Sequence, residues 1–186
     1  MNHVQNRVYF YGRLLRRPAV FLLLLGAAFI CWSASSEKAS PVARLHHAEA
    51  SQEALAEAVL KAIAAEKLSV LKDLSLSKEE FQQFVWPELP VSNPKTNVPL
   101  DYVWNDLYFR SMTRLQATFN KLKGRNLKLA RVIHRGETVE YASHRAYSDM
   151  EVIIRKEDGA EVAYPLFGTL IEIDGLWKVY SYAPYD

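Results

Sequence analysis

Two Asp-Gly pairs constrain this chain more than any other feature. Asp158-Gly159 stands between Met150-Glu151-Val152-Ile153-Ile154 and Val162-Ala163-Tyr164, and Asp174-Gly175 stands between Leu170-Ile171-Glu172-Ile173 and Trp177-Lys178-Val179-Tyr180. A type I′ turn needs positive φ at both central residues, which Asp and Gly tolerate, so each pair predicts a tight antiparallel hairpin. Two such hairpins make three neighbouring strands. Arg135-Gly136 predicts a looser turn between 127–134 and 138–147, which brings the sheet to about four or five strands, a common size.

The residues ahead of the sheet read as helix. Leu55, Val59, Ala62, Ile63 and Glu66 follow helical spacing in an alanine-rich stretch, with one apolar stripe to lay on the sheet. Ser77 and Glu80 have the spacing of a capping box, opening a short helix with Phe81, Phe84 and Val85 that Pro87 stops. Pro87, Pro90, Pro94 and Pro99 restrict the next stretch to loop geometry. Pro99 then sits in the first turn of a long helix through Lys123, with Asp101 near its positive end and Gly124 as its stop. The fold class is therefore α+β, N-terminal helices packed on one antiparallel sheet.

Ahead of these elements, Arg7, Arg13, Arg16 and Arg17 precede the apolar run Pro18–Trp32, the pattern of an export signal. A run of about fifteen residues is shorter than the roughly twenty a spanning helix needs. Bulky Trp32 nevertheless stands close before Ala34, the small residue that would supply a cut. Residues 1–35 thus read as a signal peptide or an uncleaved signal-anchor, 36–47 as a small, polar linker and 48–186 as the folded domain. Either way the domain is expected outside the cytoplasm, periplasmic or extracellular, and it meets the membrane only through residues 18–32. Cys31 follows Phe29 and Ile30 rather than a small residue, which argues against a lipid anchor. It is the only cysteine, so the domain must be stabilised by packing rather than by a disulfide.

Charge removes one class of partner. The chain has 23 Lys+Arg against 21 Asp+Glu, and without the 4 leader arginines 19 cations face 21 acids. A domain of about −2 has no basic excess for nucleic acid. His46-His47 alone does not make a metal site, and neither a Gly-rich phosphate loop nor a nucleophile elbow is present, so no metal and no cofactor is expected.

The capped Ser77-Lys78-Glu79-Glu80-Phe81 segment, the longer aromatic helix and a meander closing on Asp174-Gly175-Leu176-Trp177-Lys178-Val179-Tyr180 resemble the NTF2-like (SnoaL-like) superfamily, over the span Ala48 to Ala183. That resemblance implies a strongly bent, cone-like sheet, NTF2-like or cystatin-like, wrapped on a helix layer around a conical cavity. Trp104, Tyr108 and Phe167 are its expected cavity-lining residues. The isomerase members imply a sheet-borne carboxylate facing a tyrosine. Asp149 and Glu172 are candidate bases here, Tyr102, Tyr108, Tyr141 and Tyr164 candidate donors, and His134 and His144 candidate proton shuttles. His144 alternates with Ala142 and Ala146 and is expected on the concave side; Asp149, beside Ser148 at an expected strand start, has turn capping as its weightier role. Tyr180-Ser181-Tyr182 is read as alternating outward, where a homodimer through the sheet could form.

Three functional classes follow. One is an exported non-catalytic domain that binds a small apolar ligand or a protein partner. A second is an isomerase- or dehydratase-like enzyme using a cavity carboxylate or histidine. The third, from a short tail, one apolar segment and an outside domain, resembles the layout of membrane-anchored VirB8-like assembly subunits. The absence of any reactive constellation of known spacing favours the first.

Overall fold

The computed structural model describes residues 45–156 and 158–184. The leader, Cys31 and linker residues 36–44 lie outside the described residues. Leu45, placed in the linker by sequence, is buried and belongs to the folded domain. Among the described residues, no helix is long and apolar enough to cross a membrane.

Helix α1 spans Gln52–Ala64; its cap Ser51 accepts from the Ala54 N–H at 3.1 Å, and it buries Leu55, Val59, Leu60 and Ile63. Glu66, expected to continue the stripe, lies past its end at φ 56°. Helix α2 spans Leu68–Asp73 and α3 spans Lys78–Glu80, where both halves of the capping box are present. Beyond α3 the chain does not simply stop. It widens into a π turn over Phe81–Val85, then tightens into 3₁₀ turns at Trp86–Glu88, Pro90–Ser92 and Pro94–Thr96. Helix α4 spans Leu100–Leu122, with Pro99 as its cap rather than its first helical residue.

The strands are β1 (Lys128–His134), β2 (Thr138–Glu140), β3 (Arg145–Arg155), β4 (Glu161–Ile173) and β5 (Leu176–Tyr182). They form one open antiparallel sheet in the order β1-β3-β4-β5, with β2 lying beyond β1 along the same edge of β3. Asp174 and Gly175 take φ of 52° and 77°, the pair of positive values a type I′ turn requires. The other hairpin differs from expectation. It closes through Lys156 N–H to Ala160 O at 2.8 Å with Gly159 at φ 83°, a longer loop with glycine in the left-handed position.

The expected strand over 138–147 is also divided, and Asp149 is not at a strand start. It sits inside β3 at φ 50°, between the stretch paired with β1 and the stretch paired with β2, where the three residues 135–137 of the opposing chain face only Ser148 and Asp149. The opposing chain bulges at Gly136, where a Cβ would run into Ser148 Oγ and lie 2.9 Å from Ser148 O. Only glycine lets the two backbones approach there. Further register shifts interrupt β1–β3, β3–β4 and β4–β5, and such shifts bend the strands that carry them.

Both faces of the sheet are covered. Met150, Val152, Ile154, Leu170 and Val179 pack with α1, α2 and the C-terminal half of α4. Ile171 and Ile173, on the opposite face, pack with Leu45, Leu76, Phe81, Val85 and Trp104. The outer edge of β5 is occupied as well: Glu49 exchanges hydrogen bonds with Trp177 at 2.7 and 3.0 Å, and Leu74 and Leu76 bond Val179 at 3.0 and 2.9 Å. This corrects the expectation of an outward-facing Tyr180-Ser181-Tyr182. Tyr182 is 1% exposed, its hydroxyl donates to Leu71 O and its N–H to Ser111 Oγ, so it ties α2, α4 and β5 together.

Candidate functional site

The densest polar arrangement surrounds His144, in the turn between β2 and β3. Glu88, held by the proline-rich turns, reaches across to this turn and accepts from the backbone N–H groups of Ala142 and Ser143, the latter at 2.9 Å. The Ser143 hydroxyl donates to Phe84 O at 3.0 Å and lies 3.2 Å from His144 Nδ1. That hydroxyl has a single hydrogen, so giving it to Phe84 O leaves its oxygen to accept from Nδ1–H, which assigns the neutral ring its tautomer. The imidazole stacks on Tyr141, centroids 4.3 Å apart and planes 13° from parallel. It stands between a polar hollow of about 230 Å³, shared with Arg145, Glu172 and Asp174, and a small apolar one of about 50 Å³ lined by Val85, Leu89, Ile171 and Tyr180.

The arrangement is poor for nucleophilic catalysis. A Ser-His-acid triad places serine and acid on opposite ring nitrogens, whereas Ser143 and Glu88, at 3.9 Å, both face Nδ1. Burial pushes the His144 imidazole below its ordinary value and the Glu88 carboxylate draws it part of the way back. The ring is therefore neutral at neutral pH and bridges turn and core. A Glu88→Gln substitution removes that opposing charge and one of two acceptors. It is expected to cost about 1.5–3 kcal/mol, the range for a hydrogen bond to a charged group, and to move the His144 titration further down. Chemical denaturation and an NMR titration check this; an upward or unmoved His144 midpoint would show that Glu88 does not act on the ring.

Of the other catalytic candidates, Tyr141 stacks on His144 and Glu172 lines the same polar hollow. Asp149 is exposed and lines neither hollow. Glu172 accepts from Tyr147 Oη at 2.9 Å and pairs with Arg145 at 3.3 Å. Burial first, then this hydrogen bond, pushes the Tyr147 phenol up, so it remains a protonated donor. Tyr147 is wedged between Trp177, 4.8 Å away, and His134, 5.5 Å away, a packed position on the sheet.

A buried ion pair escaped the sequence reading. Lys178 Nζ lies 2.8 and 3.1 Å from the two Glu80 oxygens, with side chains 2% and 5% exposed. Glu80 also accepts from the N–H groups of Ser77 and His46, both at 2.8 Å. Burial alone would raise the Glu80 carboxyl; the bonds from Lys178, Ser77 and His46 outweigh it and hold the group below the usual carboxylate range. The available signal was a lone lysine in an otherwise apolar and aromatic strand.

The three expected cavity residues are not gathered around one hollow. Trp104 is buried on the Ile171 face, 5.3 Å from the Phe81 ring and 5.6 Å from Tyr108. Phe167 is 1% exposed in the main core on the opposite face. Tyr108 is exposed, and with Phe109, Met112, Thr113, Gln116 and Ala117 lines an open groove of about 420 Å³ on the outside of α4. Tyr102 and Phe109, one heptad apart, are 70% and 73% exposed. Large aromatics left in water along one helix are uncommon unless something covers them. Among the described residues, no cluster of three or more His, Cys, Asp or Glu is arranged to hold a metal ion.

No family model matches the chain, and no curated protein or solved structure is detectably similar to it.

Proposed function

We propose that the chain carries an exported, non-catalytic interaction domain of NTF2-like kind, its sheet strongly bent around the helix layer, and that a second copy of the chain binds the outer face of α4. The single observation behind this reading is the exposed row of Tyr102, Tyr108 and Phe109, with half-buried Met112 beside it, on a helix whose other side is firmly packed. Aromatics and methionine are the side chains enriched at protein interfaces. A two-fold axis at Met112 pairs two such helices antiparallel. Asp101 is engaged with Lys78, Asp106 with Arg110 and Arg114 with Tyr182 O, so the apolar side chains rather than ion pairs carry the contact.

Cysteine crosslinking tests the arrangement in the full chain with Cys31→Ser as background. Met112→Cys is expected to give a disulfide-linked dimer under mild oxidation, because residues on a two-fold axis meet their own copies. Lys95→Cys, exposed in the proline-rich turns, should not. Equal crosslinking at both positions, or none at 112, would sink the reading. The VirB8-like assembly subunit is the form of this proposal in which residues 18–32 tether the paired copies.

A further inference from the structure

We propose that the end of the domain where α4 runs into β1 is a binding site for a phosphate-headed lipid. The sequence there is one-sided in charge: between 121 and 131 it carries Lys121, Lys123, Arg125, Lys128 and Arg131 and no acidic residue. The fold brings β3's end to the same place, since Lys128 pairs with Arg155 in register. The result is an open cleft of about 570 Å³ with Arg125, Asn126, Arg155 and Lys156 on its rim and Leu127, Ile154 and Tyr164 along its walls.

Two features point to phosphate. Arg125 and Lys156 make no ion pair among the described residues, and Arg155 shares Glu161 with Arg131, so the described acids do not match the cations at the rim. Among the described residues, the acid on the cleft is Asp158, which is engaged in its own turn, accepting from the Ala160 N–H at 2.9 Å. Guanidinium groups suit phosphate through paired N–H bonds, and several converging cations suit a dianion better than one carboxylate.

A third feature points to lipid rather than a soluble phosphate. Asn126 and Leu127 also border a second hollow of about 370 Å³, lined by Leu60, Ala64 and Leu129 with Glu57, Lys61 and Lys128. Leu60, Ala64, Leu127 and Leu129 lie along this second hollow between its charged members, and offer contact to a short acyl chain beside an anionic head. Binding sites of this size are typically apolar clefts oriented by a few charged groups. This inference does not depend on the α4 contact.

The test titrates the full chain, as its producing cell leaves it, with monomeric dihexanoyl phosphatidic acid, dihexanoyl phosphatidylcholine and inorganic phosphate by calorimetry. The phosphatidic acid is expected to bind at least about tenfold more tightly than either comparison, a separation of roughly 1.4 kcal/mol. Arg125→Ala/Lys156→Ala should remove that preference while leaving the melting temperature in place, since both side chains are at the surface. Inorganic phosphate binding as well as the lipid would replace the proposal by a simple anion site. Phosphatidylcholine binding equally, or a variant with unchanged affinity, would overturn it.

Discussion

Replacing Lys178 by methionine is expected to lower the unfolding free energy at neutral pH by about 3–5 kcal/mol, the usual cost of leaving one member of a buried ion pair behind. Glu80 is 5% exposed and among the described residues the ammonium is the one cation bonded to it, so the substitution strands a carboxylate between α3 and β5. The two N–H donors of Ser77 and His46 soften the loss without neutralising the charge. Against a total stability of about 5–15 kcal/mol, the loss is large. The pH dependence gives a second readout. In the parent chain the Glu80 carboxyl is held below its ordinary value, so its contribution is present above the ordinary carboxylate range and is lost as pH falls through the lowered value. Without Lys178 burial prevails and raises the carboxyl, so acid neutralises the stranded group and the gap between parent and variant narrows. Glu80→Gln together with Lys178→Met should recover part of the loss. Urea melts at neutral and mildly acidic pH decide the matter: a penalty that does not shrink in acid would mean that Glu80 is not the stranded group.

Local chemistry explains which parts of this structure could be read from sequence. The Asp174-Gly175 hairpin, the Ser77–Glu80 capping box and α4 are each dictated by residues close in the chain, and each is present. The division of the 138–147 segment was not legible, because it depends on a turn closed by the Tyr141 N–H on His144 O and held from outside by Glu88. Alternation also misled the reading of Tyr180-Ser181-Tyr182. A strand with one wet face shows a clear polar and apolar alternation, but this sheet is packed on both faces, so either parity can point into a core. The same ambiguity hid Lys178, whose partner lies 98 residues earlier in the chain. Glu88 was passed over for a related reason: its bonds to Ala142 and Ser143 join a proline-rich turn to a β-turn 54 and 55 residues away, which no local motif announces.

Phe167 and Tyr108 were grouped by sequence as walls of one cavity, and truncating them should now give opposite results. Phe167 pairs in register with Met150 on one side and Tyr182 on the other, and its ring lies 6.3 Å from the Tyr182 ring. Phe167→Ala removes an aromatic group from close packing and leaves a void, for which about 3–5 kcal/mol is the usual cost. The neighbours are tied too firmly to collapse into it, since Tyr182 is fixed through Leu71 and Ser111. A void lined by apolar side chains stays dry and can take up benzene, so saturating benzene should restore part of the lost melting temperature. Tyr108→Ala, on the exposed outer side of α4, should change stability by less than about 1 kcal/mol, as for most surface substitutions. Its effect should appear instead in the Met112→Cys crosslinking yield, because the lost ring belongs to the proposed contact. A Phe167→Ala protein as stable as its parent would restore the ligand-cavity reading of that residue, since a side chain lining an open space can be cut back without breaking the core.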